Sequence, residues 1–196
     1  KVGYTENAKS PAEFDITPYI RTGKNLLACE VHKFSDGTYL EDQDMWRLGG
    51  INRNVYLYST APTRILDFFS HADLDAAYKN GLFSTDVKIK NYGNSAATQM
   101  VEVSIFDKAG KKVFSHKKKI TVSAGATDSL WFEGVVKTPL HWTAETPNLY
   151  NMLITLKDER NAIIEATSHK IGFRKIELKD GQVLVNACLQ STSHAN

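Results

Sequence analysis

Cysteine is nearly absent from this chain: Cys29 and Cys188 are the only two in 196 residues. Two isolated cysteines make neither a disulfide framework nor a four-cysteine zinc site. The six histidines are scattered, and none stands in the His-x-x-x-His spacing that suits a metal. Neither sign of charge is in excess: 24 Lys and Arg against 22 Asp and Glu leave a formal net charge of +2. That balance gives no electrostatic ground for expecting nucleic acid or an anionic membrane as a partner. No apolar run approaches the ~20 residues of a membrane span, and no window sustains the 3.6-residue period of an amphipathic helix. Internal repeats, low-complexity tracts and a signal peptide are lacking, and the opening Lys1-Val2-Gly3-Tyr4 carries no initiator Met. The expectation is a chain that begins inside a longer polypeptide, its compartment (cytoplasm or periplasm) left open.

What is present is a succession of strands and turns. A length of 196 suits one or two domains, and 42% hydrophobic with 23% charged residues is ordinary globular composition. Thr17-Pro18 predicts a short helical turn, with Thr17 as N-cap and Pro18 at the first helical position. Gly23-Lys24-Asn25 then turns the chain into a strand over 26–33, with Leu27, Cys29 and Val31 on one face and Cys29 buried as a small apolar residue. A second strand is expected over 54–59, and Pro62 marks a boundary. Beyond it, strands are predicted near 64–70, 82–91, 99–106, 112–122, 127–133, 149–157 and 163–171. The connections Tyr92-Gly93-Asn94, Asp107-Lys108-Ala109-Gly110 and Asp158-Glu159-Arg160-Asn161 carry the turn signals. Seven short antiparallel strands imply an immunoglobulin-like sandwich, of the fibronectin-like variety because the inter-sheet disulfide is lacking. After Gly172, residues 173–178, the turn Lys179-Asp180-Gly181 and residues 182–185 predict a hairpin entering a further unit. The closing Ala187-Cys188-Leu189-Gln190-Ser191-Thr192-Ser193-His194-Ala195-Asn196 is too polar for a strand and reads as a truncation scar or an appended tail.

One stretch is unlike the rest. Ser35-Asp36-Gly37-Thr38-Tyr39-Leu40-Glu41-Asp42-Gln43-Asp44-Met45-Trp46-Arg47 crowds four carboxylates among two aromatic rings and an arginine. A packed strand does not tolerate three unpaired carboxylates, because each buried charge is costly. Carboxylates beside rings suit sugar recognition, accepting hydroxyl hydrogen bonds while a ring packs on C–H groups, or the holding of a hard cation through oxygen. A buried Asp–Arg network that locks two sheets together is the equally weighted structural reading. Asp36-Gly37 is most simply a turn.

The run from Asp36 to Arg47, followed by Gly50-Ile51-Asn52-Arg53-Asn54-Val55, resembles the bacterial β-galactosidases of glycoside hydrolase family 2. A second motif supports it: Trp142-Thr143-Ala144-Glu145-Thr146-Pro147-Asn148-Leu149-Tyr150 is similar to the family's Trp-x-x-Glu-x-Pro-x-Leu-Tyr signature, and Ile171-Gly172-Phe173-Arg174 to the segment leading toward its barrel. The resemblance implies an all-β chain, a partial jelly-roll β-sandwich followed by an immunoglobulin-like one. Residues 1–60 would be the C-terminal part of the sugar-binding jelly roll and 61–172 the immunoglobulin-like domain. Residues 173–196 would be the lead-in to a (β/α)₈ barrel. It further implies that Asp44 binds substrate and ligates sodium, with Glu41, Asp42, Trp46 and Arg47 supporting it. The two catalytic glutamates would lie on the barrel, so no catalytic residue is expected here. Sodium would take its remaining ligands from the barrel, where magnesium would also bind; no cofactor is expected for this chain alone. The implied partners are a β-galactoside, the barrel domain and further copies in a homo-oligomer. The reading is a noncatalytic portion of a β-galactosidase; the alternative is a carbohydrate-binding or adhesion module made of sandwiches.

Two other features read as structure. Trp142 and Tyr150 are expected to pack the sandwich against its neighbour, with Pro147 stiffening a turn. Lys111-Lys112 and Lys117-Lys118-Lys119 around His116 form a basic hairpin, read as a solvated strand face because Val113, Phe114 and Ile120 look like core positions.

Overall fold

A computed structural model of the chain describes residues 1–7, 10–40, 49–51 and 53–189. It divides into two compact units, Lys1–Tyr58 and Ser59–Asn196. No α-helix occurs among the described residues, and every paired strand is antiparallel. Among the described residues no helix is long and apolar enough to cross a membrane.

The first unit contains two 3-10 turns, Thr17–Tyr19 and Asp36–Tyr39, and no strand among its described residues. The strands expected over 26–33 and 54–59 do not form there, since a strand exists only through a ladder and these segments have no ladder partner among the described residues. Their apolar side chains consequently face solvent, Leu26 being 94% exposed, and Cys29 is exposed rather than buried. The turn at Pro18 is present, but Ile16 is its N-cap, one residue earlier than expected. Asp15 supplies the capping oxygen, its Oδ1 accepting the Thr17 N–H at 2.9 Å. The Tyr58 hydroxyl, at the end of the unit, donates to Glu13 Oε2 at 3.2 Å.

The second unit is a two-layer sandwich. One sheet has the order β1-β2-β5, with β1 Thr63–Leu74, β2 Gly81–Asn91 and β5 Thr127–Val136. The other has the order β4-β3-β6-β7, with β3 Ala97–Phe106, β4 Lys112–Val122, β6 Tyr150–Lys157 and β7 Ile163–Ile171. Period-two alternation sets the faces. Along β2 the odd positions from Gly81 to Asn91 are buried and the even ones are not. Phe83, Val87, Ile89 and Phe132 from the first sheet meet Val101, Val103, Ile105, Met152, Ile154 and Leu156 from the second in one core. Each such side chain contributes about 1.5–3 kcal/mol on burial. Glu165 of β7 stitches the layers where β1 bulges, its Oε2 accepting the Ile65 N–H at 2.7 Å.

The two hairpins of the larger sheet share one turn design. Asp107 Oδ1 accepts the N–H groups of Ala109 and Lys111, each at 2.9 Å, and Gly110 takes a φ of 80°. Asp158 Oδ1 accepts those of Arg160 and Ala162 at 2.9 and 2.8 Å, and Asn161 takes a φ of 64°. The aspartate thus satisfies two backbone donors that a tight turn leaves open. Asp107→Ala and Asp158→Ala should each lower unfolding free energy by about 1 kcal/mol, and the double variant should be additive, as read from urea melts.

Beyond β7 a three-stranded meander follows: β8 Ile176–Lys179, β9 Gln182–Val185 and β10 Cys188–Leu189. β10 corrects the expectation that this polar stretch makes no strand. Asn186 and Ala187 both take left-handed φ values, 53° and 64°, and reverse the chain so that Cys188 pairs with Val185. Such a two-residue turn is set by the backbone, as is the ladder it creates, so side-chain polarity does not forbid it.

Candidate functional site

Asp44, the residue assigned a role in substrate and sodium binding, lies outside the described residues, as do its supports Glu41, Asp42, Trp46 and Arg47. The backbone on either side of them is described. On the entry side, the Ser35 N–H donates to Thr38 Oγ1 at 2.8 Å and the Leu40 N–H to the Gly37 carbonyl at 3.0 Å, so the Asp36-Gly37 turn is a capped 3-10 turn. On the exit side, Gly49 returns to Lys33: a Cβ on Gly49 would stand 3.3 Å from Lys33 Cγ. Gly50 follows with a φ of 108°, a conformation natural to glycine alone. Gly49 and Lys33 therefore lie side by side, one before and one after the acidic run in sequence. Among the described residues no group of three His, Cys, Asp or Glu is placed to hold a metal.

The second motif is a seam within the sandwich unit. The Trp142 N–H donates to the Phe173 carbonyl at 2.9 Å, and Arg174 Cζ stands 4.8 Å from the Trp142 ring centroid. Trp142 also bridges to Pro147 across the bend, and Tyr150 Oη accepts the Leu140 N–H at 2.8 Å. Phe173 is fully buried against Tyr150, ring centroids 5.3 Å apart and edge to face. Gly172 has to be glycine, since a Cβ there would come within 2.9 Å of Trp142 Cβ. Asn186 completes the seam: its Oδ1 accepts the Lys175 N–H at 2.9 Å and its Nδ2 donates to the Trp142 carbonyl at 3.0 Å. The rings of the motif pack on the chain as it leaves β7.

The basic hairpin does more than line a solvated face. Glu102, at the centre of β3 and only 11% exposed, faces three ammonium groups: Lys157 at 2.8 Å, and Lys112 and Lys117 each at 3.5 Å. Ser115 Oγ donates to Glu102 Oε1 at 3.3 Å. The hydrogen bond from Lys157 is the main cause that lowers the Glu102 carboxyl to about 2; burial opposes it, and attraction to Lys157, Lys117 and Lys112 adds to it. Lys118 points elsewhere, donating to the Trp131 carbonyl at 2.6 Å.

Family comparison finds two adjacent matches along the chain. The model of the glycosyl hydrolases family 2 sugar-binding domain matches residues 1–61, and that of the glycosyl hydrolases family 2 matches residues 63–174. The chain belongs to glycosyl hydrolase family 2. Among family 2 relatives it is 40% identical over 186 residues to a β-galactosidase of Priestia megaterium, and 41% identical over 179 residues to one of Clostridium acetobutylicum. These alignments cover 94% and 91% of this chain but 18% and 19% of the relatives' length. The chain is thus similar to a portion of those enzymes. A β-glucuronidase 2 of Bacteroides uniformis shares the fold over 89% of the chain and 22% of its own, with a TM-score of 0.75 at 23% identity. A putative β-galactosidase of Bacteroides fragilis matches 66% of the chain and 20% of its own, with a TM-score of 0.60 at 23% identity.

Within this family 2 chain, the sequence pattern located the Trp142–Tyr150 motif and the lysines but not Glu102. Its signal was a carboxylate alternating with Val101 and Val103 on a strand otherwise bound for the core. Lys157, its tightest partner, is 55 residues away, and only strand register brings the two together.

Proposed function

We propose that this chain is the noncatalytic portion of a retaining β-galactosidase, acting as scaffold and presenting the Asp44 loop to an active site built mainly by a barrel that follows. The observation that carries this reading is the 40% identity to a β-galactosidase across 94% of the chain, together with the small share of that relative it spans. Residues 1–60 would be the end of the sugar-binding domain, 61–172 the immunoglobulin-like domain and 173–196 the lead-in to the barrel. The capped turn at Asp36–Tyr39 and the approach of Gly49 to Lys33 support the loop assignment, because they bring together residues that flank Asp44 in sequence. A carboxylate there could accept a galactose hydroxyl and hold one face of a sodium ion. Retention requires two carboxyl groups about 5–5.5 Å apart, which the reading assigns to the barrel.

The test compares this chain with the longer polypeptide of the same reading frame. Nitrophenyl-β-galactoside should be hydrolysed by the longer form and not by the 196-residue chain. In the longer form, Asp44→Asn should lower kcat/KM about tenfold or more and abolish the response to added sodium at the same time. Turnover by the short chain, or full activity with an unchanged sodium response in Asp44→Asn, would sink the reading.

A further inference from the structure

The outer face of the β1-β2-β5 sheet presents two aromatic rings to solvent. Strand register sets Phe69 and Trp131 in one row, with Asp86 of β2 between them. Phe69 is 66% and Trp131 48% exposed. The Glu133 carboxylate accepts the Trp131 indole N–H at 2.9 Å, and Phe69 stands edge to face against His71, centroids 4.7 Å apart. Each ring is thus steadied by the residue two places on in its strand. The rings sit two strand spacings apart, roughly 9.5 Å. The next row is polar: His71, Ser84 and Glu133 stand side by side in register. Leu82 and Val135, paired and exposed, follow it. A shallow concavity of about 1180 Å³ takes in both rings and these rows, but not Asp86.

The chemistry of the lining selects the occupant. Three acids, Asp67, Asp73 and Glu133, and two bases, Lys170 and Arg174, line the concavity. Lys88 meets Asp67 at 3.6 Å, so three acids stand against three bases and no net charge is left. Arg64 and Lys90, paired at the far end of the same face, offset Asp86. A strongly charged ligand therefore finds nothing to neutralise. A protein surface pressed on this face would strip water from the five charged side chains of the lining, which protein interfaces avoid at their centre. A saccharide chain meets both conditions. It is neutral, and its C–H groups pack on the electron-rich faces of aromatic rings. Its hydroxyls both donate and accept, which suits Ser84, His71 and Glu133. Exposed rings gathered on one sheet face also form the kind of patch that marks an interaction site.

We infer that this face is a subsite for an extended β-linked galactan, one saccharide ring lying on Trp131, another on Phe69, and the His71–Ser84–Glu133 row bonding their hydroxyls. The inference rests on the proposed β-galactosidase function and deepens it: the substrate class becomes a polymeric galactoside. Kinetics of the longer polypeptide test it, with soluble galactan and nitrophenyl-β-galactoside as the two substrates. Trp131→Ala should raise KM for galactan about tenfold relative to KM for nitrophenyl-β-galactoside, the effect of truncating an aromatic anchor. The kcat for galactan should hold, and Trp131→Tyr should recover most of the loss, which a misfolded sheet would not allow. In the 196-residue chain, which carries the whole face, galactan should shift the Trp131 indole N–H resonance, assigned by its absence from Trp131→Tyr. An unchanged KM ratio in an active Trp131→Ala enzyme would overturn the inference and leave the functional reading intact. So would an indole resonance that galactan leaves in place, or one that moves when the short chain is merely concentrated, since a second copy would then be the occupant. A longer polypeptide without turnover of nitrophenyl-β-galactoside would sink the functional reading, and the indole resonance would still decide whether the face binds galactan.

Discussion

Phe173→Ala should destabilise the sandwich unit by about 3–5 kcal/mol, the range for emptying a fully buried aromatic site. The ring is inaccessible to solvent and sits edge to face with Tyr150. On its other side it lies on Gly81, where a Cβ would come within 2.5 Å of Phe173 Cδ1. Removing the ring therefore opens a cavity walled by a strand backbone and an aromatic face, neither of which can collapse into it. The loss also weakens the exit from β7, since the Phe173 carbonyl accepts the Trp142 N–H and the Arg174 N–H reaches the Ala72 carbonyl. A domain of this size holds only about 5–15 kcal/mol in total, so the variant should lose a large part of it in urea melts. Gly81→Ala probes the same contact from the other side and should cost about 1–3 kcal/mol by overpacking. A cost below about 1 kcal/mol for Phe173→Ala would show that the ring is not part of the core.

Phe173 also shows where the sequence is readable. All seven strands of the sandwich follow from alternation and from Asp, Gly and Asn at turns, because a two-layer sandwich buries one face of each strand and leaves the other wet. The ranges expected for β4 and β7, 112–122 and 163–171, are those the structure forms. The first unit was not legible in this way. Its 26–33 segment has strand-forming residues, but a pattern states only that a strand could form, and without a ladder partner the leucines stay in water. The tail failed for the opposite reason: composition argued against a strand at Cys188–Leu189, and a left-handed pair at Asn186-Ala187 made one. Glu102 lay beyond reading because its ion pairs depend on the register of three strands. For Asp44 the sequence supplied a chemistry through family resemblance, and the described residues supply only what flanks it in sequence.

Glu102 should make the stability of this sandwich depend on pH in a defined window. Its carboxyl is lowered from 4.5 to about 2 in the folded chain. A depressed folded value means that the unfolded state takes up the proton first. The stabilisation is therefore complete above about pH 4.5 and drains away as pH falls toward 2. The contribution is on the order of 2 kcal/mol once solvent screening of the half-exposed Lys112 and Lys117 is allowed for. Lys157, only 15% exposed and at 2.8 Å, is the partner that salt should screen least. Glu102→Gln keeps the shape and removes the charge, leaving three ammonium groups around a neutral amide. Relative to the unmodified chain it should be less stable by about 2 kcal/mol at neutral pH. The difference should shrink below pH 4.5 and vanish near pH 2, where the protonated carboxyl and the amide carry the same charge. Lys157→Met should be worse than either Lys112→Met or Lys117→Met, since it removes the buried partner and leaves the carboxylate to two half-exposed ones. Urea melts from pH 7 to pH 2 measure both comparisons. A Glu102→Gln difference that stays constant through that range would mean the carboxylate contributes shape alone and the lysines are no more than a solvated face.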